Sequence, residues 1–152
     1  AQFVLMMVGI PGSGKSTLAQ HLKSNGGWEV VCQDELKNRQ NCVRTMRNSL
    51  NRGHSVIIDR CNFDPPQRKV WLDIAEEYGL KDSVFGVWFD LDEKVCLNRV
   101  MQRKHHPTIP SDKCQQAMIV NRMISDFVPP KLSEGFVKIF YAKNQAEIEN
   151  LK

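Results

Sequence analysis

The chain begins with an apolar run that breaks into a glycine-rich stretch. Residues 4–22 read "VLMMVGIPGSGKSTLAQHL", and within them "GIPGSGKS" at 9–16 matches the pattern G-x-x-x-x-G-K-[ST]. The apolar run predicts a buried strand, and the amphipathic residues after the glycines predict a helix. Because the pattern binds phosphate in this strand–loop–helix context, the sequence predicts a phosphate-binding loop between the first strand and the first helix.

The residue types of this loop fit a nucleoside triphosphate, ATP or GTP, bound with Mg²⁺. The glycines allow backbone N–H groups to point inward at the positive end of the helix dipole. Lys15 is predicted to reach the β- and γ-phosphates, and the Ser16 hydroxyl to bind Mg²⁺. The predicted nucleotide-binding residues are Gly9, Gly12, Ser13, Gly14, Lys15, Ser16 and Thr17. The alternative is a glycine-rich turn with a solvated lysine.

Strand-like and helix-like segments alternate along the rest of the chain. The strand-like runs are "FVLMMV", "WEVVC", "HSVIID", "SVFGVWFD" and "FVKIFYA", and helical spacing is found over 15–24, 36–52, 65–78 and 93–103. This alternation predicts an α/β protein of the P-loop NTPase fold, with a five-stranded, mainly parallel sheet flanked by helices. Asp64, followed by two prolines, predicts a helix N-cap.

The predicted organisation is a single P-loop kinase domain over residues 1–152. Prolines interrupt the segment after the fourth helix, so a mobile lid is predicted at about 104–116. A helix is predicted to follow the lid and to end at Val128, before a Pro-Pro pair.

Composition restricts the class of protein further. No apolar run reaches the roughly 20 residues that a membrane-spanning helix needs, and no leader peptide is evident. The five cysteines are widely spaced, which argues against a zinc site and against a disulfide framework. The net charge of +4 suits anionic partners. We therefore predict an intracellular protein, in the nucleus or cytoplasm, without a membrane partner.

Two aspartates follow predicted strands. Asp34 comes after "WEVVCQ", and Asp59 ends "SVIID". Ligands of open α/β sheets bind beyond the carboxyl ends of the strands, where a carboxylate can accept the proton of an attacking hydroxyl. We assign this general-base role to Asp34, and predict that Asp59 helps to bind Mg²⁺ or fixes neighbouring loops. The alternatives are an N-cap of the following helix for Asp34 and a capped turn for Asp59.

Two arginines lie near the predicted lid. Arg99 and Arg103 are four residues apart and share one face of the predicted fourth helix. Since the planar guanidinium matches phosphate oxygens, one of the pair is predicted to hold the transferring phosphoryl group. The alternative is a solvated basic face.

Several segments, in order along nearly the whole chain, match one family. They are "VGIPGSGKST", "QDELKNRQNC", "IIDRCNFDPPQR", "HHPTIPSD" and "PPKLSEGF". In these the chain resembles the polynucleotide 5′-hydroxyl kinases, found as the kinase half of DNA-repair kinase/phosphatases and in phage and fungal end-healing enzymes. It is also similar, in "CQD" and "IDRCN", to the P-loop module that precedes the aprataxin-type domain in plants.

The resemblance implies roles for individual residues. It implies that Asp34 is the general base, that Arg103 or Arg99 is the lid arginine, and that Asp59 lies beside the acceptor-side loops. The implied acceptor-binding residues are Asp34, Lys37, Asn62 and Arg68. Many members have arginine where this chain has Gln33, and the phage type has arginine where this chain has Lys37, so contacts to the acceptor's phosphate are expected to differ.

Three hypotheses about function follow. The first is an ATP-dependent kinase for the 5′-OH of DNA or RNA in nucleic-acid end repair, with fusion to other repair domains left open. The second is a kinase for a small molecule or an aminoacyl-tRNA, and the third is a non-catalytic nucleotide-binding module. For the first hypothesis, five basic residues are predicted to form a positively charged surface that binds the nucleic-acid strand. The alternative is that they form a solvated helix face. They are Lys37, Arg39, Arg44, Arg47 and Arg52.

Overall fold

A parallel sheet and five helices form the described part of the computed structural model, which covers residues 2–32, 38–102, 113–144 and 146–147. The strands are β1 (Val4–Val8), β2 (Trp28–Cys32), β3 (Ser55–Asp59), β4 (Val84–Phe89) and β5 (Lys138–Ala142). The helices are α1 (Lys15–Ser24), α2 (Arg39–Asn51), α3 (Pro65–Glu77), α4 (Glu93–Gln102) and α5 (Lys113–Asp126).

The sheet has the strand order β2-β3-β1-β4-β5, and every neighbouring pair is parallel. The predicted fold class, a five-stranded parallel sheet flanked by helices, is confirmed. In the register, Cys32 lies opposite Asp59 and Val8 lies opposite Trp88. Because all strands run the same way, their carboxyl ends meet at one edge of the sheet, where ligands bind in open α/β folds.

Helices cover both faces of the sheet. Side chains of α2 and α3, such as Met46 and Trp71, form one buried cluster with β1, β2 and β3. Side chains of α1 and α4, such as Leu18 and Cys96, form a second cluster on the opposite face. All five residues of β1 are buried, as expected for a central parallel strand covered on both sides.

The helix starts follow local side-chain chemistry. Asp64 is the N-cap of α3, and its carboxylate accepts a hydrogen bond from the Gln67 backbone N at 3.0 Å, as predicted. The helix predicted over 36–52 instead begins at Arg39, because the Asn38 side chain caps it by accepting from Asn41 N at 2.9 Å. The cap position that one alternative gave to Asp34 is therefore occupied by Asn38.

The lid predicted at about 104–116 lies mostly outside the described residues. Residues 103–112, which include most of the predicted lid, lie outside the described residues. Residues 113–116, which the prediction placed in the lid, belong to α5. This helix ends at Asp126 rather than at Val128, whose backbone N donates to Phe63 O at 2.8 Å as the chain turns toward the prolines.

Two compositional expectations can be compared with the structure. Among the described residues, Cys32, Cys42, Cys61 and Cys96 form no disulfide bond. In the part of the chain that the structure describes, no helix combines the length and the apolar character that crossing a membrane requires.

Candidate active site

The glycine-rich loop between β1 and α1 is tightly packed against α4. Gly12 has a φ of +82° and Gly14 has a φ of +95°, a region that glycine adopts without strain. A Cβ atom at Gly12 would lie 2.4 Å from the carbonyl oxygen of Cys96, at the middle of α4. The loop conformation therefore requires glycine at Gly12 for two independent reasons.

Lys15 places its ammonium group inside this loop. The side chain is only 8% exposed, and Nζ donates to the Ile10 carbonyl oxygen at 2.9 Å and to the Ser13 hydroxyl at 3.3 Å. No carboxylate among the described residues forms an ion pair with it. A buried cation with neutral partners creates a strong local demand for an anion, which the inward-facing loop is built to bind.

Ser16 and Asp59 meet at the carboxyl end of the sheet. The Ser16 hydroxyl donates to Asp59 Oδ2 at 2.8 Å, and Asp59 is 5% exposed. This contact joins the Asp59 carboxylate to the helix that follows the phosphate loop. A hydroxyl and a carboxylate are the hard oxygen ligands that Mg²⁺ prefers.

Arg99 reaches the loop from α4. Its Nη1 donates to the Gly12 carbonyl oxygen at 3.2 Å, so the structure brings this predicted arginine to the phosphate loop. Arg103 lies outside the described residues. Burial raises the pKa of the neighbouring Cys96 thiol, and the positive charges of Lys15 and Arg99 oppose that rise.

Asn62 connects the end of β3 to the end of β1. It has a left-handed φ of +48°, and its Nδ2 donates to the Met7 carbonyl oxygen at 2.7 Å. Its Oδ1 accepts from Trp71 Nε1 at 3.0 Å, while Gly9 N donates to Cys61 O at 3.0 Å. The turn after β3 is thereby fixed against the start of the phosphate loop.

Arg68 supports the same turn from α3. It is fully buried, and Nη1 donates to the Asn62 carbonyl oxygen at 2.9 Å. Its Nε donates to Glu134 Oε1 at 2.8 Å, and Nη2 lies 3.3 Å from Glu134 Oε2. The side chains of Asn62 and Arg68, both predicted to bind the acceptor, are thus buried and bonded within the protein. Their geometry is that of groups that position the turn.

The remaining predicted residues are distributed as follows. Asp34 and Lys37 lie outside the described residues, and Thr17 is exposed on the first turn of α1. Two of the basic residues that were predicted to bind the nucleic-acid strand instead form ion pairs with acidic side chains of the protein. Arg47 pairs with Glu77 at 2.6 Å, and Arg52 pairs with Glu29 at 3.0 Å.

Two residues near the site were missed by sequence reasoning. Glu134 is 66 residues away from Arg68, and no local pattern indicates that the two pair. Arg60 directly follows Asp59, and its guanidinium lies over the Trp71 ring, 5.4 Å from the centroid. The rule that strand ends carry functional side chains could have singled out Arg60.

The fold and the loop define a P-loop nucleotide-binding domain. A family model described as an AAA domain matches residues 4–130, and the chain belongs to that family.

Curated relatives include a polynucleotide kinase. The chain is 32% identical over 157 residues to the Arabidopsis thaliana protein named transcription factor bHLH140, a match that covers 98% of this chain and 17% of that protein. It is 33% identical over 138 residues to the bifunctional polynucleotide phosphatase/kinase of Schizosaccharomyces pombe, covering 91% of this chain and 33% of that protein. The chain therefore spans only a third or less of the length of these two relatives.

Solved structures share the fold. A fungal RNA kinase matches with a TM-score of 0.77 and 18% identity, over 99% of this chain and 83% of that one. A sugar kinase from Janibacter matches with a TM-score of 0.67 and 17% identity, over 99% of this chain and 92% of that one. The comparisons confirm the predicted resemblance to the polynucleotide kinases and the predicted P-loop fold class.

Proposed function

We propose that the chain is the kinase domain of a polynucleotide 5′-hydroxyl kinase, which transfers the γ-phosphate of ATP to a 5′-OH end of DNA or RNA. The observation that carries the proposal is the arrangement at the carboxyl end of the sheet: the Lys15 ammonium inside the loop, beside the Ser16–Asp59 pair. The similarity to the fission-yeast polynucleotide phosphatase/kinase supports the choice of acceptor.

The phosphate donor binds at the loop. Backbone N–H groups and Lys15 hold the β- and γ-phosphates, and Arg99, already bonded to the Gly12 carbonyl, lies where it can add a donor to the transferring group. Arg103 is the other candidate for this last role. Because phosphoryl transfer depends mainly on positioning and charge stabilisation, a preformed cluster of donors supplies most of what the reaction needs.

The residues present fit a magnesium ion. Ser16 and Asp59 would hold it, and their oxygens are already 2.8 Å apart. The described residues contain no cluster of three or more histidine, cysteine or acidic side chains, but Mg²⁺ is usually bound by one or two carboxylates together with substrate phosphates and water. A bound Mg²⁺ supplies charge neutralisation of the phosphate oxygens.

The acceptor hydroxyl needs a base. We assign this role to Asp34, which follows Cys32 by two residues; Cys32 ends β2 and lies opposite Asp59 in the sheet. The acceptor oxygen attacks the γ-phosphorus, the bond from that phosphorus to the bridging oxygen breaks, and ADP leaves. The hydroxyl proton passes to the Asp34 carboxylate.

The wider biology is part of the same proposal. A kinase for 5′-OH ends belongs in nucleic-acid end repair, in the nucleus or cytoplasm, and the short span of the chain within its relatives is consistent with fusion to other repair domains. Lys37 is assigned to the acceptor side, whereas Asn62 and Arg68 act there by fixing the turn after β3.

A phosphate-transfer experiment tests the proposal. The protein is incubated with Mg²⁺, γ-labelled ATP and 5′-OH oligonucleotides of DNA and of RNA, beside a 5′-phosphorylated oligonucleotide and gluconate. We expect label on a 5′-OH strand only, loss of transfer in Asp34→Asn, and normal transfer in Asp82→Asn, whose carboxylate is exposed on a distant turn. Label on gluconate alone, or on water alone, would contradict the proposal.

A further inference from the structure

An open apolar groove of about 340 Å³ lies on the face of the sheet that carries α1. Side chains of β1, β4, β5 and α1 line it, among them Leu5, Leu18, Leu22, Phe85, Val87 and Phe140. No charged side chain is found among its described lining residues. Because both faces of a parallel sheet are normally covered, an open apolar groove of this size indicates a site that another segment covers.

The opposite face of the same strands is already covered beside β4. The ring of Phe136 lies so close to Gly86 that an added Cβ would be 3.2 Å from it, and Phe127 stacks on Trp88 with a centroid distance of 6.2 Å. On the groove face, by contrast, Phe3 remains 37% exposed. A segment that follows β5 therefore finds its apolar contacts on the groove face.

A helix begins directly after β5, the strand at this edge of the sheet. β5 ends at Ala142, and residues 146–147 are helical. The backbone N of Glu147 donates to Asn144 Oδ1 at 3.0 Å, and the backbone N of Lys143 donates back to the Glu147 carboxylate. An asparagine side chain that accepts from the backbone three residues later is a typical helix N-cap. The chain thus leaves the carboxyl end of the edge strand as a capped helix.

The next residues of the sequence have an apolar side. They read "IENLK" at 148–152 and lie outside the described residues. Ile148 and Leu151 are three residues apart, a spacing that places two side chains on one face of a helix. Glu149 and Asn150 fall on the other side. The spacing therefore predicts a helix that has one apolar stripe to bury.

The length of this segment matches the distance to the groove. Eight helical residues, 145–152, span about 12 Å at a rise of about 1.5 Å per residue. In the register of the sheet, Ala142 lies opposite Phe89. The path along β4 from Phe89 back to Phe85, in the groove, is four residues or about 13 Å. A helix that turns back over the sheet after β5 therefore reaches the groove.

We propose that residues 148–152 place Ile148 and Leu151 in the groove, so that the continuation of the chain covers this face of the sheet. Leu18 and Leu22 of the groove belong to α1, the helix that begins at Lys15 of the phosphate loop. The segment thereby holds the part of α1 that lies away from the bound phosphates. The inference concerns packing and is independent of which acceptor receives the phosphate.

Unfolding measurements test whether the segment is seated. In the full chain, Leu151→Ser is expected to raise the unfolding equilibrium constant by at least about 10-fold, as the burial of one leucine side chain implies. Glu149→Ser places the same new side chain on the polar side of the segment and should leave the constant within about 2-fold of its original value. Equal effects of the two substitutions would overturn the inference.

A double-mutant cycle connects the segment to the groove. If Leu151 contacts Leu22, the loss in Leu151→Ala combined with Leu22→Ala is smaller than the sum of the two single losses. Strictly additive losses, together with an absence of nuclear Overhauser contacts between the Leu151 methyl groups and those of Leu22 or Val87, would overturn the inference.

Isotope labelling separates the chain's own segment from a second copy. In a mixture of methyl-labelled and unlabelled protein, contacts between Leu151 and the groove are expected within one labelled molecule and not between two molecules. Contacts that arise only between molecules would assign the groove to a second copy and contradict the proposal. Phosphate transfer plays no part in these measurements, so their failure leaves the proposed function unaffected.

Discussion

The hydroxyl of Ser16 and the carboxylate of Asp59 lie 2.8 Å apart, although 43 residues separate them in the sequence. The contact follows from the sheet order, because β1 and β3 are neighbouring parallel strands whose following residues meet at one edge. Each side chain limits the rotation of the other. The pair is therefore held in a fixed orientation before any cation binds, which reduces the ordering that binding requires.

Replacing Asp59 by asparagine should weaken the binding of Mg²⁺ at the active site. Asparagine keeps the shape of the side chain but loses its negative charge, so we expect kcat/KM to fall by about 10–100-fold, with a higher Mg²⁺ concentration needed for half-maximal transfer. Titrating Mg²⁺ in the oligonucleotide assay measures both effects, and Asp82→Asn provides the control. An unchanged Mg²⁺ dependence in Asp59→Asn would show that this carboxylate does not act on the metal.

A single methyl group added at Gly12 should weaken nucleotide binding by the phosphate loop. In Gly12→Ala the new Cβ would lie 2.4 Å from the Cys96 carbonyl oxygen, so the loop or α4 must move. We expect nucleotide affinity to fall by at least about 10-fold, since overpacking commonly costs about 1–3 kcal/mol. Calorimetric titration with ATP measures the change.

The matched control is Gly26→Ala, because Gly26 also has a positive φ but has nothing within 4 Å of the added Cβ. This variant should lose about 1–2 kcal/mol of stability from backbone strain and bind ATP normally. Equal ATP affinity in the two variants would mean that the packing of the loop against α4 does not matter for binding.

Local signals made most of the fold and the phosphate loop predictable. The strands appear as apolar runs, and Lys15 and Ser16 are identified by a contiguous motif that needs no tertiary information. Even the start of α3 was predictable, because Asp64 followed by two prolines is itself the physical cause of the helix start. The start of α2 was misplaced because Asn38, an equally good cap, lies four residues after Asp34.

Long-range pairing explains what could not be predicted. Arg68 was assigned to the acceptor by resemblance, but the 3-10 turn Leu132–Glu134 brings a carboxylate against it from 66 residues away. Arg60 and Arg68 are both arginines beside the same turn, and sequence alone cannot tell that Arg68 pairs with Glu134 while Arg60 forms no ion pair among the described residues. That difference depends on which segments pack together, which is a property of the folded chain.

Breaking the buried ion pair should destabilise the fold. Glu134→Gln removes the negative charge that faces the fully buried Arg68 guanidinium, and we expect the free energy of unfolding to fall by about 3 kcal/mol. Urea denaturation at pH 7 measures the loss. Asp73→Asn, which breaks the exposed Lys69–Asp73 pair of α3, should leave stability nearly unchanged. Similar losses in the two variants would show that burial does not strengthen the Arg68 pair.

Stability should depend on pH through Glu29. Its carboxylate on β2 accepts hydrogen bonds from the side chains of Ser49 and Arg52 and contacts His54 Nδ1. The hydrogen bond from Ser49 holds the pKa of Glu29 below its ordinary value of 4.5. Partial burial opposes this lowering of the pKa, and His54 and Arg52 add to it. A lowered pKa in the folded state means that the ionised carboxylate stabilises the protein above pH 4.5, and that this contribution is lost as the pH falls through the folded-state pKa.

Glu29→Gln is therefore expected to be less stable than the wild-type protein at pH 7, with a difference that shrinks as the pH is lowered below 4.5. Urea unfolding of both proteins across this pH range gives the difference directly. Glu76→Gln is the control, since Glu76 is exposed on α3 and forms no ion pair among the described residues, so its effect should be small at every pH. A stability difference for Glu29→Gln that stays constant from pH 7 to pH 3 would mean that the carboxylate charge contributes nothing and that only its shape matters.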